Sequence, residues 1–243
     1  MLLFTFAAMR KFAISDLHGC NLTFQALLDK IAFGISDELY LLGDYVDRGP
    51  DSKGVLDTIF NLKEKGYKVR CLMGNHEHSM LLALRNVYHY YDWLEAWGGR
   101  QTMDSFNVDM PSKIPQKYWD FFKKLEWFIQ TGDFLLVHAG LNFRAKNPFV
   151  DYESLMYLRE WYQDIDYHLL GDRYIVHGHT PVSVGQTELQ LKLLERQRYI
   201  DIDTGCFAMH LPGKGHLCAF DMTNRELFFQ KNLDDVSGYW KSR

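Results

Sequence analysis

Cysteine is scarce. The 243 residues contain four, Cys20, Cys71, Cys206 and Cys218, and no two stand at a short paired spacing. That excludes a zinc knuckle and a disulfide-dense secreted scaffold, and makes a reducing cytoplasm the expected compartment. A long apolar run is also missing. Met1 to Met9 is apolar but has no Lys or Arg ahead of it, and it falls far short of the roughly 20 residues that a bilayer requires, so no membrane span is expected. A basic excess is absent too. With 27 Lys and Arg against 31 Asp and Glu, the formal net charge is -4. Nonspecific binding to nucleic acid or an anionic membrane would need a basic patch, so neither partner is expected. No repeat, low-complexity tract or Pro/Ser linker breaks the chain. One domain is expected over residues 9–243, with residues 1–8 as a possible N-terminal extension, because Met9 is followed by Arg10, Lys11 and a strand-like run.

Apolar residues are plentiful at 47%, enough for a core that buries most of the chain. The first half alternates short apolar runs with segments of helical period. Phe12 to Ser15, Leu39 to Leu42 and Val69 to Met73 read as strands. Between the first two, Phe24, Leu27, Leu28 and Ile31 recur at the spacing of one helix face. Between the second two, Val55 to Lys65 reads as a helix entered through Asp51 or Ser52 and left at Gly66. The stretch from about His78 to Ile129 is expected to be helical. Its stripe Tyr118, Phe121, Phe122, Leu125, Phe128 and Ile129 is read as core. Beyond it, Phe134 to Val137, Tyr174 to Val176, Tyr199 to Ile202, Leu217 to Phe220 and Leu227 to Phe229 are strand candidates.

Polar clusters follow the three early strands: Asp16-Leu17-His18-Gly19, then Gly43-Asp44-Tyr45-Val46-Asp47-Arg48-Gly49, then Gly74-Asn75-His76-Glu77. Two later strands end in His138-Ala139-Gly140 and His177-Gly178-His179-Thr180-Pro181. In open α/β sheets, ligands bind where loops converge at the carboxyl ends of strands. Asp, His and Asn without thiolate suit Mn²⁺, Fe or Zn²⁺. A lone Asp-x-His is common by chance, and Gly-Asn-His-Glu alone could be a turn and a helix start favoured by Glu77. Five such clusters, each ending a predicted strand, are hard to explain as five ordinary turns.

The ordered set resembles the phosphoprotein phosphatase branch of the calcineurin-like metallophosphoesterases, most of all the compact bacterial and bacteriophage-lambda-type serine/threonine protein phosphatases. The spacings agree, with 28 residues from Asp16 to Asp44 (44 minus 16) and 31 from Asp44 to Asn75 (75 minus 44). The resemblance runs from about Phe12 to Phe220. It implies an α/β fold in which two mixed β-sheets form a sandwich flanked by helices, in four layers. It also implies two divalent metal ions, Mn²⁺ first and Fe or Zn²⁺ as alternatives. Asp16 and His18 would hold the first ion and Asp44 would bridge both. Asn75, His138 and His179 would complete the second. A shared hydroxide would then attack phosphorus in line, without a phosphoenzyme.

By the same resemblance His76 protonates the departing oxygen and Asp47 orients it, since a carboxylate beside imidazole favours the protonated ring. Arg48 and Arg159 would hold the phosphate oxygens, because a guanidinium fork matches phosphate geometry. Arg144 and Arg173 compete with Arg159. His177, two residues before His179, could share its face on a strand, but a place behind the ligands or facing substrate is preferred. His78, His89, His168, His210 and His216 match no motif and read as surface or structural. Cys206 is not expected to be a nucleophile, since no phosphate-cradling loop ending in Arg follows it. The neighbouring Asp203 turn reads as structural support.

Among functions, Pro181 stands where the cyclic-nucleotide and phosphodiester branch usually ends its last motif in a second His, which disfavours that branch. The symmetrical dinucleoside tetraphosphatases are similar across most motifs, including the Trp97, Gly98, Gly99 and Thr102 region. They commonly lack an acidic residue at the position of Asp47 and tend to carry Asp at that of Glu77. On those two residues a phosphorylated protein or peptide is the expected substrate, with the dinucleotide as alternative. A catalytically dead scaffold is disfavoured because every expected ligand is present.

Overall fold

The computed structural model describes residues 9–236; the expected extension over residues 1–8 lies outside them. Two mixed sheets stack face to face. The first holds β1 (Lys11–Ile14), β2 (Glu38–Leu41), β3 (Lys68–Cys71), β8 (His216–Asp221) and β9 (Glu226–Lys231), in the order β3-β2-β1-β8-β9. The second holds β4 (Phe128–Thr131), β5 (Phe134–Val137), β6 (Tyr174–His177) and β7 (Tyr199–Asp201), in that order. β1, β2 and β3 run parallel, as do β5, β6 and β7; β8 is antiparallel to both of its neighbours, β1 and β9, and β4 is antiparallel to β5 at the edge of the second sheet.

Strand side chains alternate between two environments, and this alternation builds the layers. Phe12, Ile14, Leu39 and Leu41 face the helices over the first sheet, while Ala13, Tyr40 and Leu42 face the second sheet. There they meet Phe134, Leu136, Tyr174, Val176 and Ile200, all buried. Leu135, Val137 and Ile175 face outward beneath Leu155, Trp161 and Leu170. Burying a side chain of this size stabilises the fold by about 1.5–3 kcal/mol. The expected four-layer α/β sandwich is the architecture found.

The helices that cover the first sheet are α1 (Asn21–Lys30), α2 (Ser52–Glu64), α3 (Asn75–Ala83), α4 (Val87–Asp92), a wide π-helical turn (Trp93–Trp97), α5 (Gly99–Phe106) and α6 (Gln116–Phe122). Asp51 is the residue that caps α2, its Oδ1 accepting from Gly54 N at 2.8 Å. The outer face of the second sheet carries α7 (Tyr152–Tyr157) and α8 (Tyr167–Leu170). Two further helices, α9 (Val184–Lys192) and α10 (Leu194–Gln197), connect β6 to β7.

The helical stripe expected to run through Ile129 ends early. α6 stops at Phe122, and Phe128 and Ile129 belong to β4, paired with Val137 and Leu136. A helical spacing arose there by coincidence from a helix, a turn and a strand start. The segment from Val184 to Lys192, not expected as a helix, is opened by a reciprocal cap between Ser183 and Gln186.

Candidate metal centre

The loops after β1 and β2 lace together through their backbones. Asp16, His18 and Gly19 N–H groups donate to Gly43, Asp44 and Tyr45 carbonyls at 3.3, 2.8 and 2.9 Å. Gly43 permits this approach: its φ is +103°, and a Cβ there would lie 2.7 Å from the Gly74 backbone and 2.8 Å from His138 Nδ1. Asp16, His18, Asp44, Asp47, Arg48 and His179 also adopt positive φ. For a residue with a Cβ that conformation costs about 1–2 kcal/mol, so the surrounding fold holds these six side chains in place against local preference.

Glu77 is the clamp for this loop. Its Oε1 accepts from Tyr45 N (2.7 Å) and Val46 N (3.2 Å), and its Oε2 from Asp44 N (2.9 Å) and Gly74 N (3.1 Å). Burial, and after it the Asp44 carboxylate, push its pKa up to about 7. The sequence reading placed Glu77 as a helix-start residue or a substrate discriminator. It does stand in the first turn of α3, accepting from the Gly74 N–H that opens the helix; its three other backbone donors, Asp44, Tyr45 and Val46, come from the loop after β2, which no local pattern reveals.

Two groups of side chains converge, and Asp44 belongs to both. His18, Asp44 and His76 bring donor atoms within 4.8 Å of one another, as do Asp44, His138 and His179. His18 Nε2 lies 3.6 Å from Asp44 Oδ2 and 3.9 Å from Asp16 Oδ1. Asn75 Oδ1 sits 2.9 Å from His138 Nε2 and 2.8 Å from His179 Nδ1. The second ring nitrogen of His138 is committed to the Leu42 carbonyl at 2.8 Å, and that of His18 to Val46 O at 3.1 Å. These contacts aim the remaining nitrogens inward. Burial, followed by neighbouring cations and imidazoles, pushes His18 and His179 well below the usual imidazole range, which keeps both rings neutral and able to donate a lone pair. Burial and then the nearby Asp16 push Asp44 upward.

Asp16 Oδ1, His76 Nε2 and His179 Nε2 are buried with no hydrogen-bond partner among the described residues. Orphaned polar atoms are rare in folded interiors. Three of them around one carboxylate, with oxygen and imidazole donors and no thiolate, fit divalent cations of the Mn, Fe or Zn type.

Beside this centre, Asp47 Oδ2 accepts from His76 Nδ1 at 2.8 Å. Trp93 Nε1 donates to both Asp47 oxygens (3.1 and 3.0 Å) and Thr102 Oγ1 donates to Oδ1 (2.6 Å). Arg48 Nη1 reaches His18 Nε2 at 3.1 Å, and its guanidinium lies 4.4 Å over the Phe207 ring. Arg159 borders the centre through Thr180 Oγ1 (3.1 Å). Its competitors point elsewhere: Arg144 pairs with Asp164, and Arg173 donates to the Leu169 and Leu170 carbonyls.

His177 does not join His179. It ends β6 facing Trp161 (5.2 Å between ring centroids) and Tyr162, whose hydroxyl is 3.4 Å from Nε2. Positive φ at His179 breaks the strand alternation on which a shared face depends. Asp203 lies near the centre: one oxygen accepts from Gly205 N at 2.8 Å, the other is unpartnered, and burial with Asp16 nearby raises its pKa well above the carboxylate range. The sequence reading missed Phe207, whose ring stands 4.7 Å from His18, and Tyr157, whose phenol is raised to about 12 by burial first and by Asp44 second.

With this geometry in place, comparison with known proteins defines the class. The chain matches the Calcineurin-like phosphoesterase family over residues 9–214 and belongs to that family. Similar curated proteins are the symmetrical bis(5'-nucleosyl)-tetraphosphatases of Nitrosomonas europaea, 33% identical over 135 residues, and of Haemophilus ducreyi, 34% over 139. Each match covers 55% of this chain and 45% or 46% of the relative, so the chain spans a little under half the length of those proteins. A crystal structure described as a candidate diadenosine tetraphosphatase superposes with a TM-score of 0.61 at 19% identity, covering 92% of this chain and 94% of that one. A protein serine/threonine phosphatase from Saccharomyces cerevisiae gives 0.64 at 15%, covering 95% and 82%. At such identities the structural likenesses are of fold.

The curated relatives overturn the expectation of a lambda-type phosphatase with a phosphoprotein substrate; they carry the name of the dinucleotide enzyme instead. The physical reason lies in the two residues used to discriminate. Asp47 is taken up by His76, Trp93 and Thr102, and Glu77 by four backbone N–H groups, so both report on how the loop is built.

Proposed function

We propose that the protein hydrolyses dinucleoside tetraphosphates symmetrically, using two divalent metal ions, in the cytoplasm. The observation that supports this reading most is the Trp97-Gly98-Gly99-Thr102 segment, which resembles the tetraphosphatases and is built into the site itself. A Cβ at Gly98 would lie 2.6 Å from Arg48 N, one at Gly99 would lie 2.5 Å from the Trp93 ring, and Thr102 holds Asp47. The four cysteines are unpaired and buried, in keeping with a reducing compartment. Among the described residues, no helix is long and apolar enough to cross a membrane.

Asp16, His18 and Asp44 would hold one ion and Asp44, Asn75, His138 and His179 the other, with Mn²⁺ the first candidate. Bound there, the pair supplies Lewis acidity toward phosphoryl oxygens and an activated water at neutral pH. In the overall reaction one water adds across the central P–O–P bond. Its oxygen joins one phosphorus, the bridging oxygen leaves with the other half and takes up a proton, and two nucleoside diphosphates result.

The chain's own groups position the substrate and manage that proton. Arg48 and Arg159 would bind nonbridging oxygens, and the tetraphosphate's charge suits guanidinium groups that stay protonated throughout. His76 would deliver the proton from Nε2. Burial, then Arg48 and His18, lower its pKa; the Asp47 carboxylate and an anionic substrate act in the opposite sense. Asp47 is itself immobilised by Trp93 and Thr102, so the ring cannot rotate away from the departing oxygen.

The test is hydrolysis of diadenosine tetraphosphate by metal-stripped protein resupplied with Mn²⁺, beside a phosphoserine peptide. ADP as sole nucleotide product, at a kcat/KM well above that of the peptide, is the expected result. Release of AMP and ATP, or no turnover of the dinucleotide, would refute it.

A further inference from the structure

We infer that Trp97 and Tyr157 form the wall against which the departing nucleoside stacks, making them the residues that select a nucleotide leaving group; this rests on the dinucleotide reading above. Direction is the first argument. In an in-line displacement the leaving oxygen departs toward the group that protonates it, which here is His76. The His76 ring has His18, a residue of the converging metal group, 4.6 Å away. Trp97 is the other aromatic neighbour of that ring, with centroids 5.1 Å apart and planes at 73°. Tyr157 continues that wall 6.3 Å beyond Trp97, at 87°. A group leaving past His76 therefore meets aromatic rings.

The anchoring of those rings is the second argument. Trp97 Nε1 donates to Asp92 Oδ2 at 2.9 Å, and the Tyr157 hydroxyl is 3.1 Å from His78 Nδ1. Their polar atoms are thus engaged while both residues remain partly exposed, in contrast to the buried Trp93 and Trp161. What they offer a ligand is aromatic surface rather than hydrogen bonds. Four residues apart on the π-helical turn, Trp93 points inward onto Asp47 and Trp97 lies against His76. Gly98, at φ +97°, ends the turn hard against Arg48. The wall is therefore fixed relative to a residue proposed to grip phosphate.

An occupant must have a flat apolar face on the far side of its phosphates, and a nucleobase joined through ribose to a diphosphate has that form. A seryl side chain leaving from a peptide has no such face and would gain little. Base-to-aromatic stacking tolerates every base, so discrimination among nucleobases should be weak and discrimination against base-free phosphates strong.

The experiment uses Mn²⁺-loaded protein and calorimetric binding of ADP, the leaving half, and of pyrophosphate, its base-free counterpart. Wild type should bind ADP the more tightly. Trp97→Ala should weaken ADP by roughly 10- to 100-fold, the range that stacking contributions imply, and pyrophosphate far less. Trp97→Phe should restore most of the difference, and Tyr157→Ala should show a smaller selective loss. Equal weakening of both ligands would assign the rings a structural role and overturn the inference. So would a wild type that does not prefer ADP, a comparison that needs no folded variant. Failure of the function itself shows separately, as absent turnover of diadenosine tetraphosphate.

Discussion

Asp47 Oδ2 and His76 Nδ1 lie 2.8 Å apart, and this contact leaves His76 Nε2 directed toward Asp44, 3.9 Å from its Oδ2. The pair fixes which nitrogen can exchange a proton with substrate. Replacing His76 with Asn should lower kcat by about 10²–10⁴-fold, the usual contribution of general acid catalysis, while metal content stays near wild type. Asp47→Asn should cost less, because Trp93 and Thr102 still hold the side chain. Steady-state kinetics with metal analysis by mass spectrometry decides it; near-normal kcat in the His76 variant would remove the acid role.

Asp44 is the one carboxylate shared by both converging groups. Asp44→Asn should drop bound metal below one equivalent per chain and abolish turnover, since an amide offers one oxygen where two ions require a bridging anion. Retention of two ions by the variant would contradict the assignment.

Glu77 accepts from four buried N–H groups. Glu77→Gln turns one acceptor atom into a donor facing donors, and Glu77→Ala leaves all four unpaired. Each change should destabilise the fold by at least about 3 kcal/mol, given the cost of unsatisfied buried groups. Urea denaturation measures this, and a loss under about 1 kcal/mol would count against the clamp.

Two glycines separate crowding from conformational strain. Gly43 combines φ +103° with backbone 2.7 Å from any Cβ, whereas Gly66 has φ +84° and nothing within 4 Å. Gly66→Ala should therefore cost only about 1–2 kcal/mol. Gly43→Ala should cost more and also lose metal, because the loops bearing Asp44 and Asn75 must separate. Paired denaturation and metal-binding measurements test the contrast.

Arg159 and Arg144 provide another pair. Arg159→Ala should raise KM for the dinucleotide about tenfold or more, in line with loss of a charge-assisted phosphate contact, whereas Arg144→Ala, which removes a surface pair with Asp164, should change KM less than about twofold. Equal effects would reassign the phosphate contact.

Much of this was legible in the residue order. β1, β2 and β3 announced themselves as apolar runs ending in polar clusters, and the alternation of Phe12, Ala13 and Ile14 between two cores is the physical basis of that pattern. That Asp16, His18, Asp44, Asn75, His138 and His179 would lie near one another was also legible, because each lies within four residues of the end of a strand. Other features depended on distant partners. Phe128 and Ile129 keep a helical spacing yet pair with β5, since sheet hydrogen bonds outweigh a short periodicity. His177 and His179 part company through one left-handed residue. Whether Asp47 and Glu77 spoke of substrate or of scaffold could be decided only by seeing what they hold: Trp93 and Thr102 arrive from 46 and 55 residues away. Local chemistry thus determined which polar residues would gather in the loops that follow the strands. Tertiary packing alone decided which way they face and which aromatic rings stand beside His76, because those directions are set by contacts between segments that the linear order keeps apart.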